Sequence, residues 1–547
     1  MSKREALTLL GAARDISSSP SFPALSPARW SAVEELTAKT LQSIPQLASD
    51  EGGLDACYDY ASALYGRGDE CGAEDVWRAL LPEALSVGRH DLAAYCSVRL
   101  SRCALDFLEF RPALDWCRRC RASSRHLPPK HPIHTALALA SGLVHSGHGD
   151  WEGARRALAV AVSAPPIESA LAERWEGMSP ADLKGHIYIA MANLAMERAL
   201  GAPPRTREGS LQEAWGWLHR SAALPLSERA KDLTLVNQTE VNWLLGDLKG
   251  SRGMVNAWLD SALAGDESLA PPRAPFLRLL SLMALSEEDL PEAQRLMREA
   301  YHESRRHRTP HMERRILRDL VRGYTKAHER RYGGRREHTV LKTLDSGGSW
   351  ILNLVDFVET QDSYLAGRHS QLVRALCLAL CPSPDILDRP GIPGDLDLPY
   401  LLGAASLHDI GKLDVSWALL NRVRPLGPLH EERLRAHVLA GGRILEDLGF
   451  PMTARLVEEH HERADGQGYP YGTRYQTLSG AFLALAETLV AMSQPSRACP
   501  NPPPVLDNAR WCLREGARRF QPQAAAALHL AVESGTLLPF QAAVAAS

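Results

Sequence analysis

A recurring turn, set between stretches of helical periodicity, limits what this chain can fold into more than any other feature. Leu64-Tyr65-Gly66-Arg67-Gly68-Asp69 leads into Ala73-Glu74-Asp75-Val76-Trp77. Leu105-Asp106-Phe107 leads into Ala113-Leu114-Asp115-Trp116, and His145-Ser146-Gly147 into Trp151-Glu152-Gly153-Ala154. The punctuation returns at Leu244-Leu245-Gly246-Asp247 before Trp258, and at Leu285 to Pro291 before Ala293-Gln294-Arg295-Leu296. Intervals of about 35 to 50 residues, with apolar residues three and four apart between them, point to stacked helix pairs. A lone pair leaves an apolar face in water, so such pairs need neighbours. An irregular helical bundle is the plainer alternative; the regular spacing favours a solenoid.

The pattern resembles a degenerate tetratricopeptide array of six or seven units over residues 29–330, whose concave face suits a protein or peptide partner. Residues 1–28, rich in Ser and Pro, read as a flexible lead-in. Gly333-Gly334 and Ser346-Gly347-Gly348-Ser349 mark a linker at 331–349. Helical periodicity then resumes over 350–535, broken by a Pro-rich loop at 382–399, and 536–547 reads as a tail. The expected fold class is all-α: a helical-repeat solenoid followed by a second helical domain. A chain of 547 residues is too long for one core. A net charge of −3 gives no strong field to draw in DNA or RNA. No run of about 18 apolar residues predicts a membrane span. Ten scattered cysteines and no secretory signal fit a reducing cytoplasm. Cys117 and Cys120 lack a second pair at zinc-binding spacing and read, like Cys377 and Cys381, as small apolar residues on one helix face.

The chemistry concentrates in the last third. His408-Asp409-Ile410-Gly411-Lys412 is followed by His437, by His460-His461, and by Asp465-Gly466-Gln467-Gly468-Tyr469-Pro470. Adjacent His and Asp, with further histidines on later helices, can wrap two metal ions, and a shared carboxylate can bridge them. Mixed imidazole and carboxylate donors suit Fe, Mn, Ni, Co or Zn better than Ca. Lys412 falls on the side of His408 if the segment is helical. It is also the only lysine after Lys342 in a chain that otherwise uses arginine. A compact ammonium and a planar guanidinium serve a phosphate differently. The His-Asp dipeptide by itself is common, as His90-Asp91 in the repeat region illustrates.

In that order, these segments resemble the HD-GYP family, a branch of the HD superfamily of metal-dependent phosphohydrolases. Glu359 to Ser370, Ala436-His437 with Gly441, and Arg514 to Ala517 with Phe520 and Pro522 extend the resemblance over about 355–530. It implies an HD-type helical domain with two divalent ions, iron or manganese. It also implies hydrolysis of cyclic di-GMP by a metal-bridging hydroxide. His369, His408 and Asp409 are similar to the ligands of one metal, and His437, His460 and His461 to those of the other. Asp409 is similar to the bridging catalytic residue and Lys412 to the phosphate contact. Asp465, Gly466, Gly468, Tyr469 and Pro470 match the signature loop, associated with substrate or a partner. Glu487 stands where the family carries an Asp ligand, Val490 where it carries a second Asp, and Leu365 where three-metal members carry Glu. Arg497 is one place off the arginine of the substrate segment. These departures set a rival expectation: a catalytically silent scaffold or sensor of the same fold.

Overall fold

In the repeat region of the computed structural model, one turn geometry recurs. The amide of the first residue after the turn bonds back five residues: Asp69 to Leu64 O, Glu109 to Ala104 O, Asp150 to His145 O, Asp247 to Asn242 O and Asp289 to Ala284 O. This closes one helix with a left-handed residue, which is Gly68, Leu108, Gly149, Gly246 and Glu288 in turn. The Asp then caps the next helix: Asp69, Asp150 and Asp247 accept from Gly72, Gly153 and Gly250 amides at 2.7, 2.9 and 2.8 Å. Four residues past the turn stands a buried small residue, namely Ala73, Ala113, Ala154, Ser251 or Ala293. Another turn on comes a buried larger one: Trp77, Cys117, Leu158, Val255 or Met297. The small residue lets the paired helices approach; the larger one fills the layer between them. In two hairpins a serine of the first helix donates to the small residue's carbonyl, Ser101 to Ala113 O at 3.0 Å and Ser281 to Ala293 O at 2.7 Å.

The structure describes residues 27–47, 52–165, 178–200, 202–263, 273–307, 368–381, 396–474, 476–495, 499 and 501–545, with scattered residues from 11 to 16 and from 316 to 362. Among them there are helices and no strands. The first thirteen helices are α1 Pro27–Leu47, α2 Gly53–Arg67, α3 Glu70–Ser86, α4 His90–Asp106, α5 Phe110–Ser124, α6 Ile133–Gly147, α7 Trp151–Ser163, α8 Pro180–Leu200, α9 Pro204–Ala222, α10 Glu228–Leu244, α11 Leu248–Leu263, α12 Ala274–Ser286 and α13 Leu290–His307. The chain divides into two units, Met1–Ile316 and Leu317–Ser547. Most of the expected lead-in, the 331–349 linker apart from Glu337 and Leu341, and most of the 382–399 loop lie outside the described residues. Cys117 and Cys120 are buried, and Cys117 Sγ lies 3.2 Å from Ser101 Oγ.

The second unit holds α14 His369–Leu380, α15 Leu398–Leu407, a 3-10 turn at Ile410–Asp414, α16 Trp417–Leu420, α17 Pro428–Arg435, α18 His437–Asp447, α19 Pro451–Glu459, α20 Leu478–Ser493, α21 Val505–Arg519, α22 Pro522–Glu533 and α23 Leu537–Ala545. α15 and α20 are apolar nearly all round and form the core; α14 and α19 pack against both. Residues 536–547, expected as a tail, instead carry α23. Its Leu537 and Phe540 are buried, and the helix packs on α14 and α21. No helix among the described residues is long and apolar enough to cross a membrane.

Candidate metal centre

His408 and Asp409 stand where α15 gives way to the 3-10 turn. Leu401, Ala404, Ala405 and Leu407 sink the helix into the core, so both side chains emerge inside the domain and are buried. Gly411 explains how α18 reaches them. A Cβ there would sit 1.8 Å from the His437 carbonyl oxygen and 2.4 Å from the Gly441 amide nitrogen. Only a residue without a side chain lets this backbone lie against the first turn of α18, and that contact brings His437 to the pair. α19 packs on α18 and delivers His460 and His461 from its C-terminal end. Glu459, just before them, accepts from the Thr477 amide at 2.9 Å and its hydroxyl at 2.7 Å, tying this end to the start of α20. α14 opens with His369, and Glu359 fixes that end by accepting from the Ser370 amide at 2.7 Å.

The side chains gather into two groups, His369 with His408 and Asp409, and His437 with His460 and His461. In each, one donor atom per residue lies within 4.8 Å of the others. Asp409 joins the groups. Its Oδ2 is 3.5 Å from His408 Nε2 and 3.9 Å from His369 Nε2, while Oδ1 is 3.6 Å from His437 Nε2.

The outer ring nitrogens decide what the inner ones can do. His408, His437 and His460 each direct Nδ1 to the carbonyl three residues back, at Ala405 (3.0 Å), Leu434 (2.7 Å) and Val457. A carbonyl only accepts, so these nitrogens carry the proton and leave the Nε2 lone pairs facing inward. His408 Nε2 is buried without a hydrogen-bond partner, and Nε2 of His437 and of His460 face each other at 3.4 Å. Converging lone pairs around a carboxylate fit a divalent cation.

Protonation agrees with that fit. Burial pushes His408 down to about 4 against the pull of Asp409. Burial also lowers His437, and takes His460 and His461 well below the ordinary range. Asp409 loses solvation too, but Lys412 and then His408, His437 and His369 hold it well below the usual carboxylate range. Neutral imidazoles around an ionised carboxylate are the states metal binding requires.

Lys412 lies on the side of Asp409. The segment is a 3-10 turn, which sets residues three apart side by side, and Lys412 Nζ is 2.9 Å from Asp409 Oδ2 and 3.5 Å from Asp362 Oδ2. Burial works against its charge; Asp409 and Asp362 outweigh that and keep it above the usual lysine range. Glu487 joins neither group. Burial, and then Asp409, push it up to about 7 against Lys412 and Arg519. Val490 is buried in α20. Arg497 and Leu365 lie outside the described residues.

The signature loop folds back onto the second group. The Tyr469 ring stacks on His461 with centroids 4.7 Å apart, its amide donates to the His461 carbonyl at 3.1 Å, and the Arg435 guanidinium sits 5.2 Å from the ring centroid. Asp465 shapes the loop: it accepts from the Gln467 amide at 3.0 Å and from Arg463 at 2.5 Å, with Gly466 left-handed beside it. A Cβ on Gly468 would meet backbone of residues 461–463 at 2.5 Å. Pro470 follows Tyr469 through a cis peptide bond. Sequence reasoning missed Glu462, whose carboxylate accepts from the amides of Tyr471 (2.6 Å), Gly472 (3.2 Å) and Thr473 (3.0 Å) and so holds the loop. Its signal was its place beside two histidines and before a glycine-rich turn. Gln494 was missed as well, for its partner His369 is remote in sequence; the two meet at 2.8 Å.

The segment that carries both histidine groups, residues 367–492, matches the HD domain family. The chain is 36% identical over 123 residues to the 3'3'-cGAMP-specific phosphodiesterase 3 of Vibrio cholerae, covering 22% of this chain and 25% of that protein. It is 33% identical over 125 residues to a cyclic di-GMP phosphodiesterase of Thermotoga maritima (22% and 34%). It is 34% identical over 132 residues to one of Pseudomonas aeruginosa (24% and 30%). The chain thus spans 25% to 34% of the length of these curated relatives.

Proposed function

We propose that the second unit is a cyclic dinucleotide phosphodiesterase acting on cyclic di-GMP in cytoplasmic second-messenger signalling, with two divalent ions, iron or manganese. The observation that carries this reading is Asp409, which turns one carboxylate oxygen to each of two histidine groups. The names of the relatives support the substrate class: two act on cyclic di-GMP and one on 3'3'-cGAMP. The domain spans 350–535, and the repeats of 29–330 hold a protein or peptide partner on their concave face.

Bound ions of this kind supply Lewis acidity and lower the pKa of a water. The protein contributes the rest. Asp409 stays ionised and is itself held by Lys412. The Nδ1 hydrogen bonds of the histidines keep their rings aimed. As a water oxygen bonds to phosphorus and the P–O ester bond breaks, negative charge grows on the phosphate and leaving oxygens, and Lys412, 2.9 Å from Asp409, is the cation that would stabilise it. Asp465 to Pro470, with Arg497, form the substrate side.

One observation favours the rival reading of a silent scaffold: Glu487 stands outside both groups. The test is anaerobic purification with Fe or Mn, metal analysis, and a cyclic di-GMP hydrolysis assay with Asp409→Ala as control. Metal and turnover, both lost in the variant, are the expected result. Metal without turnover assigns the scaffold, and turnover gained in Glu487→Asp would locate the defect. Neither metal nor turnover removes the enzyme reading.

A further inference from the structure

We propose that Gln494 is the positioning residue that sets the tautomer and aim of His369, and thereby governs occupancy of the His369–His408–Asp409 group. The inference rests on the reading that this group holds a cation. Three histidines of the centre follow a helical turn of their own or of the preceding helix. His408 is the first residue past α15, His460 the first past α19, and the carbonyl that serves His437 belongs to Leu434 in the last turn of α17. Each therefore finds an acceptor three residues back. His369 is the first residue of α14, and the residue before it, Arg368, has φ −142° and ψ 15°, outside the helix. As the first residue of α14, His369 has no turn of its own helix behind it.

Gln494 supplies an acceptor to this ring. It is the first residue past α20, with φ −109° and ψ 150°, and is 3% exposed. Its Oε1 lies 2.8 Å from His369 Nδ1. An amide oxygen only accepts, so His369 carries its proton on Nδ1 and presents the Nε2 lone pair toward Asp409. The amide nitrogen of Gln494 is buried without a hydrogen-bond partner. Burial of an unsatisfied donor costs free energy, and the partner that the side chain does hold is the histidine. An amide also accepts without adding negative charge to a group that already contains Asp409. A glutamate would be the more strongly accepting alternative.

The test uses the full chain as wild type, Gln494→Ala and Gln494→Glu. Mn²⁺ binding is titrated against a competing chelator, and the histidine tautomers of the metal-free protein are read by long-range ¹H–¹⁵N NMR. Gln494→Ala is expected to weaken one of the two sites by about 10- to 100-fold and spare the other. His369 should lose its Nδ1–H form in the same variant. Gln494→Glu, which keeps an acceptor, should retain both sites and the tautomer. Unchanged affinities and an unchanged tautomer in Gln494→Ala would overturn the inference. So would equal weakening of both sites, or the same loss in Gln494→Glu. A wild type that binds no Mn²⁺ overturns the metal reading itself, and the tautomer comparison still decides whether Gln494 positions His369.

Discussion

The same dipeptide, His-Asp, occurs once in each unit with opposite consequences. His90-Asp91 opens α4. There Asp91, 27% exposed, pairs with Arg89 at 3.0 Å, and Arg89 also reaches Asp55 at 3.0 Å. His90 stacks on His126 with centroids 4.3 Å apart. His408-Asp409 closes a buried helix. Asp409 is 7% exposed and faces three histidines and a lysine. A carboxylate at an outer helix start is satisfied by a neighbouring arginine and the helix dipole. One at the inner end of a core helix depends on groups that other helices bring to it. The difference lies in where the helix points, which the dipeptide does not encode.

The comparison breaks most readily at Asp409. Asp409→Ala should abolish metal binding and lower turnover on the order of 10³-fold or more, since the residue belongs to a set acting as a unit. Asp91→Ala should leave both unchanged in the same assays. Next comes Gly411→Ala, which must push α18 from the turn. Overpacking against backbone should cost about 3 kcal/mol. The melting temperature of the second unit should then fall by roughly 6–12 °C, and the His437 group should lose metal. Acid gives a smaller effect. His408 has a folded value of about 4 against 6.5 unfolded. The unfolded chain therefore binds more protons between these values, and stability falls as pH drops from 6.5 toward 4. Unfolding free energies from urea titrations of the metal-free protein at pH 7 and pH 5 should differ by about 2 kcal/mol from this group, and His408→Gln should flatten the difference. The smallest effect is the stability change in Asp91→Ala, below about 1 kcal/mol for a partly exposed ion pair; a larger loss would mean that the first pair, too, is structurally committed.

Much of this was legible in the chain. The turn spacing marked the hairpins, because left-handed closures, Asp caps and small residues leave local traces. The histidines after His408 were legible as candidate donors, and the two groups were implied by the resemblance to the HD-GYP family. Lys412 was expected beside His408 and stands beside Asp409, because a 3-10 turn replaces an α-helical one. The expected tail is α23, because Leu537 and Phe540 find an apolar surface on elements distant in sequence. Glu487 was readable as a carboxylate in the right segment, but its position outside both groups was not.

By itself, then, the sequence determined an all-helical chain, its hairpin punctuation, and the donors of a two-group centre. The first two follow from periodicity and turn chemistry, which are local properties; the donors were implied by the resemblance to the HD-GYP family. Tertiary structure alone decided that Asp409 divides its oxygens between the groups, that Gly411 admits α18, and that Gln494 and Glu462 hold His369 and the signature loop. Those contacts join residues through packing of α14, α15, α18, α19 and α20, and no local pattern records which side chains such packing brings within hydrogen-bonding distance.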